Sequence, residues 1–105
     1  MIVKNRIKKY SEFQKAIEEG DIKKTCFFVS YAINNELGYS RFGISVPKKT
    51  GNAVVRNRIK RQVRSAIGQS TNFSNSVDMV LIVRKNYDTN SFDQALSEIK
   101  ELLIK

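Results

Sequence analysis

The patterning of this chain predicts an α+β fold, a two-layer sandwich in which helices pack against one small mixed sheet. Three observations carry that expectation. Thr25–Ile33 and Tyr39–Val46 alternate at strand period, and Val77–Val83 is an almost continuous apolar run. Two further stretches place apolar residues at helical spacing behind Ser-x-x-Gln, at Ser11–Gln14 and Ser91–Gln94. Between the strands, residues 53–67 read as a helix with one apolar and one cationic side.

The elements follow in order. Residues 1–9 are basic and irregular, with Lys4, Arg6, Lys8 and Lys9, and are expected to form a flexible arm on a single domain spanning 1–105. The Ser11–Gln14 capping box opens a short helix to about Glu19, with Phe13, Ala16 and Ile17 on one face and Gly20 as its stop. In the strand Thr25–Ile33, Phe27, Val29, Tyr31 and Ile33 face one way and Phe28, Ser30 and Ala32 the other. A turn at Asn34–Gly38 leads to Tyr39–Val46, and the simplest pairing of these two strands is an antiparallel hairpin ended by Pro47. Asn52 is a good N-cap for the helix of 53–67. A polar loop over 69–76 precedes Val77–Val83, whose mostly continuous apolar run, Met79–Val83, implies burial on both faces. The last helix carries Phe92, Ala95, Leu96, Ile99, Leu102 and Leu103 as a core stripe. The order is therefore α-β-β-(β)-α-β-α, the bracketed strand being a short extra one near residues 21–24.

Charge is the second message. From Leu37 to Val77 there is no Asp or Glu, yet Arg41, Lys48, Lys49, Arg56, Arg58, Lys60, Arg61 and Arg64 all fall there, within a chain of net charge +9. Such a concentration repels itself unless a polyanion covers it, which makes a nucleic acid the first partner to consider. On the central helix, Val55, Ile59, Val63 and Ala66 share a sector about 80° wide with Ile67 beside it, while Asn57, Lys60, Arg61 and Arg64 occupy an opposite sector about 100° wide. Arg56 and Arg58 flank them. An ordinary solvated helix face would mix signs, and here no acid is available to pair. Arginine predominates, and its planar fork grips phosphate bidentately and stacks on bases. Lys48 and Lys49 extend the patch toward the helix N-terminus. The Lys-Thr-Gly that follows lacks the glycine spacing of a phosphate-binding loop. A second surface is possible where Phe13 and Ile17 of the first helix meet Tyr31 beside the basic arm, a combination suited to stacking a single strand. The plainer reading of Phe13 and Ile17 is core.

Other chemistries find little support. With no His and a single Cys, the chain lacks a general acid–base pair, a Cys/His metal cluster and a hydroxyl–His nucleophile. Asp78, Asp88 and Asp93 are the nearest approach to a carboxylate cluster, and Asp93 is explained by the first turn of a helix. Cys26 sits in an apolar run and is expected to be a buried structural thiol. Apolar runs reach only five residues, at Met79–Val83, far short of a membrane span. No signal segment or obligate protein partner is evident, and the chain reads as cytoplasmic. A DNA reader is disfavoured by the scarcity of base-reading side chains among the basic ones. A structural RNA-binding protein of ribosomal type, without a processing role, is the alternative.

Phe42-Gly43-Ile44-Ser45-Val46-Pro47-Lys48-Lys49-Thr50-Gly51-Asn52-Ala53-Val54-Val55-Arg56-Asn57-Arg58-Ile59-Lys60-Arg61 closely resembles the signature region of the bacterial ribonuclease P protein component. Arg6–Lys9 followed by Glu12–Lys15 is similar to that family's N-terminal segment. The resemblance implies a ribonucleoprotein endonuclease that removes the 5′ leader from precursor tRNA. In it the RNA subunit is catalytic and binds Mg2+ together with substrate, and the protein holds no catalytic or metal site. It implies that Lys48, Lys49, Asn52, Arg56, Asn57, Arg58, Lys60, Arg61 and Arg64 bind the RNA subunit, and that Phe13, Ile17 and Tyr31 bind the leader. It further implies a fold resembling the second domain of ribosomal protein S5, with a left-handed strand-helix-strand crossover over Arg41–Val83.

Overall fold

The computed structural model describes residues 5–71 and 74–103. Three helices and four strands alternate as α1 (Tyr10–Glu19), β1 (Asp21–Lys24), β2 (Phe28–Asn34), β3 (Arg41–Ser45), α2 (Ala53–Ser70), β4 (Val77–Val83) and α3 (Phe92–Leu103), with a 3-10 turn at Lys48–Thr50. The α+β expectation holds, and the short extra strand is β1. The sheet order is β1-β2-β4-β3. β2 is antiparallel to both β1 and β4, whereas β3 runs parallel to β4.

The expected β2–β3 hairpin is therefore replaced by a sheet with β4 inserted between those strands. The reason lies in β4 itself, whose residues Asp78–Leu81 and Val83 are all buried. A strand apolar on both faces loses least water-exposed surface cost at the sheet centre, where both edges are also paired. The connecting loop is tied to the lead-in of β4 instead of closing a turn. The Asn35 N–H donates to Ser76 O at 2.9 Å and the Gly38 N–H to Ser76 Oγ at 3.0 Å. The hairpin that does form joins β1 to β2. There the Thr25 N–H donates to Phe28 O at 2.8 Å and Thr25 Oγ1 accepts the Phe28 N–H at 3.2 Å, so the strand begins at Phe28 and not at Thr25. Cys26 lies in this turn, and its side chain is exposed, contrary to the buried thiol expected.

One sheet face packs against α2 and α3. Phe28, Phe42, Met79, Leu81 and Val83 from the strands meet Ile59, Val63, Ala66 and Ile67 of α2 and Ala95, Ile99 and Leu102 of α3. Both helical stripes read from the sequence thus face the core. The Phe27–Phe28 turn is closed by Tyr87, whose ring centroid lies 5.0 Å from that of Phe27 and whose hydroxyl donates to Gln62 Oε1 at 2.8 Å. The buried Glu98 carboxylate accepts from the Phe27 N–H at 2.8 Å and from Gln94 Nε2 at 2.8 Å. Gln94 is thereby drawn away from the expected capping box, and the Ser91 hydroxyl donates to Asp88 Oδ2 at 3.0 Å instead. The Ser11 box is not formed either, because α1 starts two residues earlier, with Lys9 at its N-cap and no side-chain cap.

The other sheet face carries α1. Two glycines permit its close approach: a Cβ at Gly43 would stand 2.6 Å from Phe13 Cε2, and one at Gly20 would stand 2.9 Å from Ala32 O. The N-terminal end of α1 is thus seated over β3 and its C-terminal end beside β2. Residues 1–4 of the expected arm lie outside the described residues. Beyond them, Asn5 is buried and donates to Ser40 O at 2.8 Å, Arg6 bridges Phe42 in parallel, and the Ile7 N–H donates to Phe42 O at 3.1 Å. Asn5–Ile7 is accordingly docked along the outer edge of β3 and is not free.

Candidate nucleic-acid interface

α2 is the cationic wall. Asn52 caps it as expected, its Oδ1 accepting the Val55 N–H at 3.0 Å, and the helix runs three residues beyond the expected end, to Ser70. Its polar side chains divide by exposure. Asn57, Arg58 and Arg61 stand in solvent with Asn52, while Arg56, Lys60 and Arg64 are half-buried along one flank. The spacing of those three is four residues, so they rise as a ladder of cations one turn apart. The Nε atoms of Arg56 and Arg64 are covered and have no protein hydrogen-bond partner, so the stems lie against the fold and do not sweep freely. Among the described residues none of these five cations has a carboxylate within ion-pair distance. Lys48 and Lys49 are exposed in the 3-10 turn leading into the helix. The arrangement offers a rigid row of unneutralised donors at phosphate-scale spacing.

Arg41 belongs to the same acid-free block but not to this wall. It lies on the opposite sheet face, where it bonds Asp78 through Nε at 2.9 Å and through Nη2 at 2.6 Å. Those bonds to Asp78, more than the weaker ones to Glu12, hold its proton more tightly than usual.

The second surface lies on the α1 side of the sheet. The register aligns Ile22, Tyr31, Val80 and Gly43 across the four strands on that face, and Lys24, Val29, Ile82 and Ser45 in the row beyond. α1 covers the first row at Gly43, and Val80 is fully buried. Past the helix, Tyr31, Val29, Ile82 and Ser45 are half-buried, while Lys24 and Ile22 are exposed, Ile22 at 52%. Phe13 and Ile17, both half-buried, form the wall beside this floor. Of the three residues singled out from the sequence, Phe13 and Tyr31 lie on this sheet face, and Ile17 is one helical turn along α1 from Phe13. What the sequence reading missed is the floor itself, Val29 and Ile82 with Lys24 at its rim. The signal was present in the strand alternation, since Val29 shares parity with Tyr31, but the pairing to Ile82 required the sheet order.

A domain with one cationic helix face and, across its sheet, a half-apolar cleft is built as an RNA-binding protein. The comparisons with known proteins agree. The family model described as Ribonuclease P matches residues 1–105. The ribonuclease P protein component of Mesoplasma florum is 43% identical over 104 residues, covering 97% of this chain and 94% of that protein. That of Bacillus velezensis is 36% identical over 103 residues, covering 97% and 89%. Among solved structures, the Staphylococcus aureus RNase P protein superposes with a TM-score of 0.82 at 35% identity, covering 93% of this chain and 94% of that one. The Thermotoga maritima RNase P protein in complex with 1-(4-fluorophenyl)-2-thiourea gives 0.77 at 28% identity, covering 95% and 100%. The chain belongs to the ribonuclease P protein family and is a protein subunit of that tRNA-processing ribonucleoprotein, partnered with its RNA. No helix among the described residues is long and apolar enough to cross a membrane.

Proposed function

We propose that this chain is the non-catalytic subunit of a ribonucleoprotein endonuclease that removes the 5′ leader from precursor tRNA. Lys48, Lys49, Asn52, Arg56, Asn57, Arg58, Lys60, Arg61 and Arg64 bind the RNA subunit. The cleft of Phe13, Ile17 and Tyr31 receives the single-stranded leader. The observation that carries this reading is the opposed pair of surfaces, a cationic wall on one side of the sheet and an open aromatic–aliphatic floor on the other. A folded RNA core presents mainly phosphates, which suit the wall. A leader presents unpaired bases, which can stack on Phe13 and Tyr31 while Lys24 pairs a phosphate.

Hydrolysis belongs to the RNA subunit, which together with substrate holds the Mg2+ that supplies Lewis-acid and nucleophile-activating chemistry. Among the described residues no three His, Cys, Asp or Glu side chains converge. Its part is to position RNA and to lower repulsion between two polyanions. The test is reconstitution with the cognate RNA subunit and a precursor tRNA. Cleavage should require the RNA, and the protein should favour precursor over mature tRNA. Cleavage by rigorously repurified protein alone, or equal effects on both tRNAs, would refute the reading.

A further inference from the structure

Arg41 stands between two acids from different elements. Its fork is held on Asp78 of β4 at 2.9 and 2.6 Å, and the same Nη2 lies 2.9 Å from Glu12 Oε2 of α1. Asp78 is fixed in turn by Asn35 Nδ2, which donates to its Oδ1 at 2.7 Å. The Arg41 and Asp78 side chains are only 14% and 9% exposed, so their geometry is set by packing, whereas Glu12 at 34% can be altered without opening the core. Glu12 immediately precedes Phe13, whose ring rests on Gly43, two residues along β3 from Arg41 and on the same face. The ion pair and the ring contact therefore fix the same end of α1.

We propose that Glu12 and Arg41 are positioning residues for the 5′ leader: their contact sets where α1 holds Phe13 over the sheet, and so the width of the cleft. This rests on the reading of the cleft as the leader site. Arg41 is then not an RNA contact, although it lies in the acid-free block. The cluster of Glu12, Arg41 and Asp78 carries one net negative charge, which makes the sign of a substitution informative. If Glu12 acted only through its charge, neutralising it would remove repulsion toward leader phosphates and tighten binding. If it positions Phe13, neutralising it weakens binding.

The experiment uses holoenzyme reconstituted with the cognate RNA subunit, and measures affinity for a precursor tRNA and for the same tRNA without leader. Glu12→Gln is expected to weaken precursor binding about three- to tenfold, with mature tRNA affinity, RNA-subunit assembly and the cleavage rate constant at saturation unchanged. Phe13→Leu should show the same leader selectivity, and the double variant should lose less than the product of the two single losses, because both act on one contact. Tighter or unchanged precursor binding by Glu12→Gln beside a leader-selective Phe13→Leu overturns the proposal alone, as does strict additivity. A Phe13→Leu variant with no leader-selective effect overturns the underlying reading of the cleft as well.

Discussion

The paired substitution Arg58→Ala with Arg61→Ala isolates the electrostatic role of α2. Both side chains are exposed, lie three residues apart on the helix, and lack a carboxylate partner among the described residues. Alanine is the better helix former, so the fold should be unaffected to within about 0.5 kcal/mol. If each arginine neutralises one phosphate of the RNA subunit, its loss removes about 0.7–0.9 from the log–log dependence of affinity on salt, and the pair removes about 1.4–1.8. Between roughly 50 and 200 mM salt, the gap in affinity between wild type and variant should then close by about seven- to twelvefold. A titration of fluorescently labelled RNA subunit across that range reads both slopes directly. Parallel slopes, at any difference in absolute affinity, would mean these two cations touch no phosphate, and the argument from unpaired charge would be wrong.

Three other outcomes are expected. Tyr31→Leu keeps apolar volume at the cleft floor but loses the ring face and hydroxyl, so precursor tRNA binding should weaken by about 1–3 kcal/mol while mature tRNA binding stays constant in the same assay. Leu81→Ala at the fully buried centre of β4 should lower unfolding free energy by about 2–5 kcal/mol in urea melts, with no change in denaturant slope. Tyr87, pushed up to about 12 chiefly by burial and then by Asp88 and Glu98, favours the fold while neutral. Because its pKa is raised on folding, that stabilisation is complete below pH 10 and is lost as pH rises toward 12. The loss should be about 1–2 kcal/mol after allowance for its half-exposed ring, and Tyr87→Phe should flatten the alkaline limb of a stability–pH profile.

The helices and the α2 wall were legible in the sequence because helical periodicity is a local property. Ile59, Val63, Ala66 and Ile67 announce the buried stripe of α2 from their spacing alone, and the bare run of arginines announces its other side. Strand adjacency is not local. Alternation in Phe28–Asn34 and Arg41–Ser45 says which residues share a face but not which strand lies next door, and the nearest partner in sequence proved to be the wrong one. The corrective clue was the doubly buried run Val77–Val83, which needs neighbours on both sides. Both capping boxes were misread because Ser-x-x-Gln specifies only a possibility: α1 begins upstream of Ser11, and at the second box other partners take both side chains. Glu98 claims Gln94, and Asp88 claims Ser91. Cys26 looked buried because it borders Phe27 and Phe28, yet the Thr25 turn swings it outward. Within the cleft, Phe13, Ile17 and Tyr31 could be named from the chain, but Val29, Ile82 and the Arg41 cluster emerge only once β4 is placed between β2 and β3.

The central position of β4 also governs the order in which this protein can acquire its shape. As the chain leaves the ribosome, only the β1–β2 hairpin and isolated helices can form; β2 and β3 both await a strand that starts at Val77. Bringing Phe28 to Val83 and Arg41 to Asp78 closes loops of many tens of residues, the kind of distant pairing that slows folding. Until then the arginines of α2 are already synthesised but the helix has no sheet to lean on. Completion of the sheet therefore waits for β4, which at once gives α2 a sheet to pack on and joins β2 to β3 beneath α1, so that neither face is finished before its counterpart.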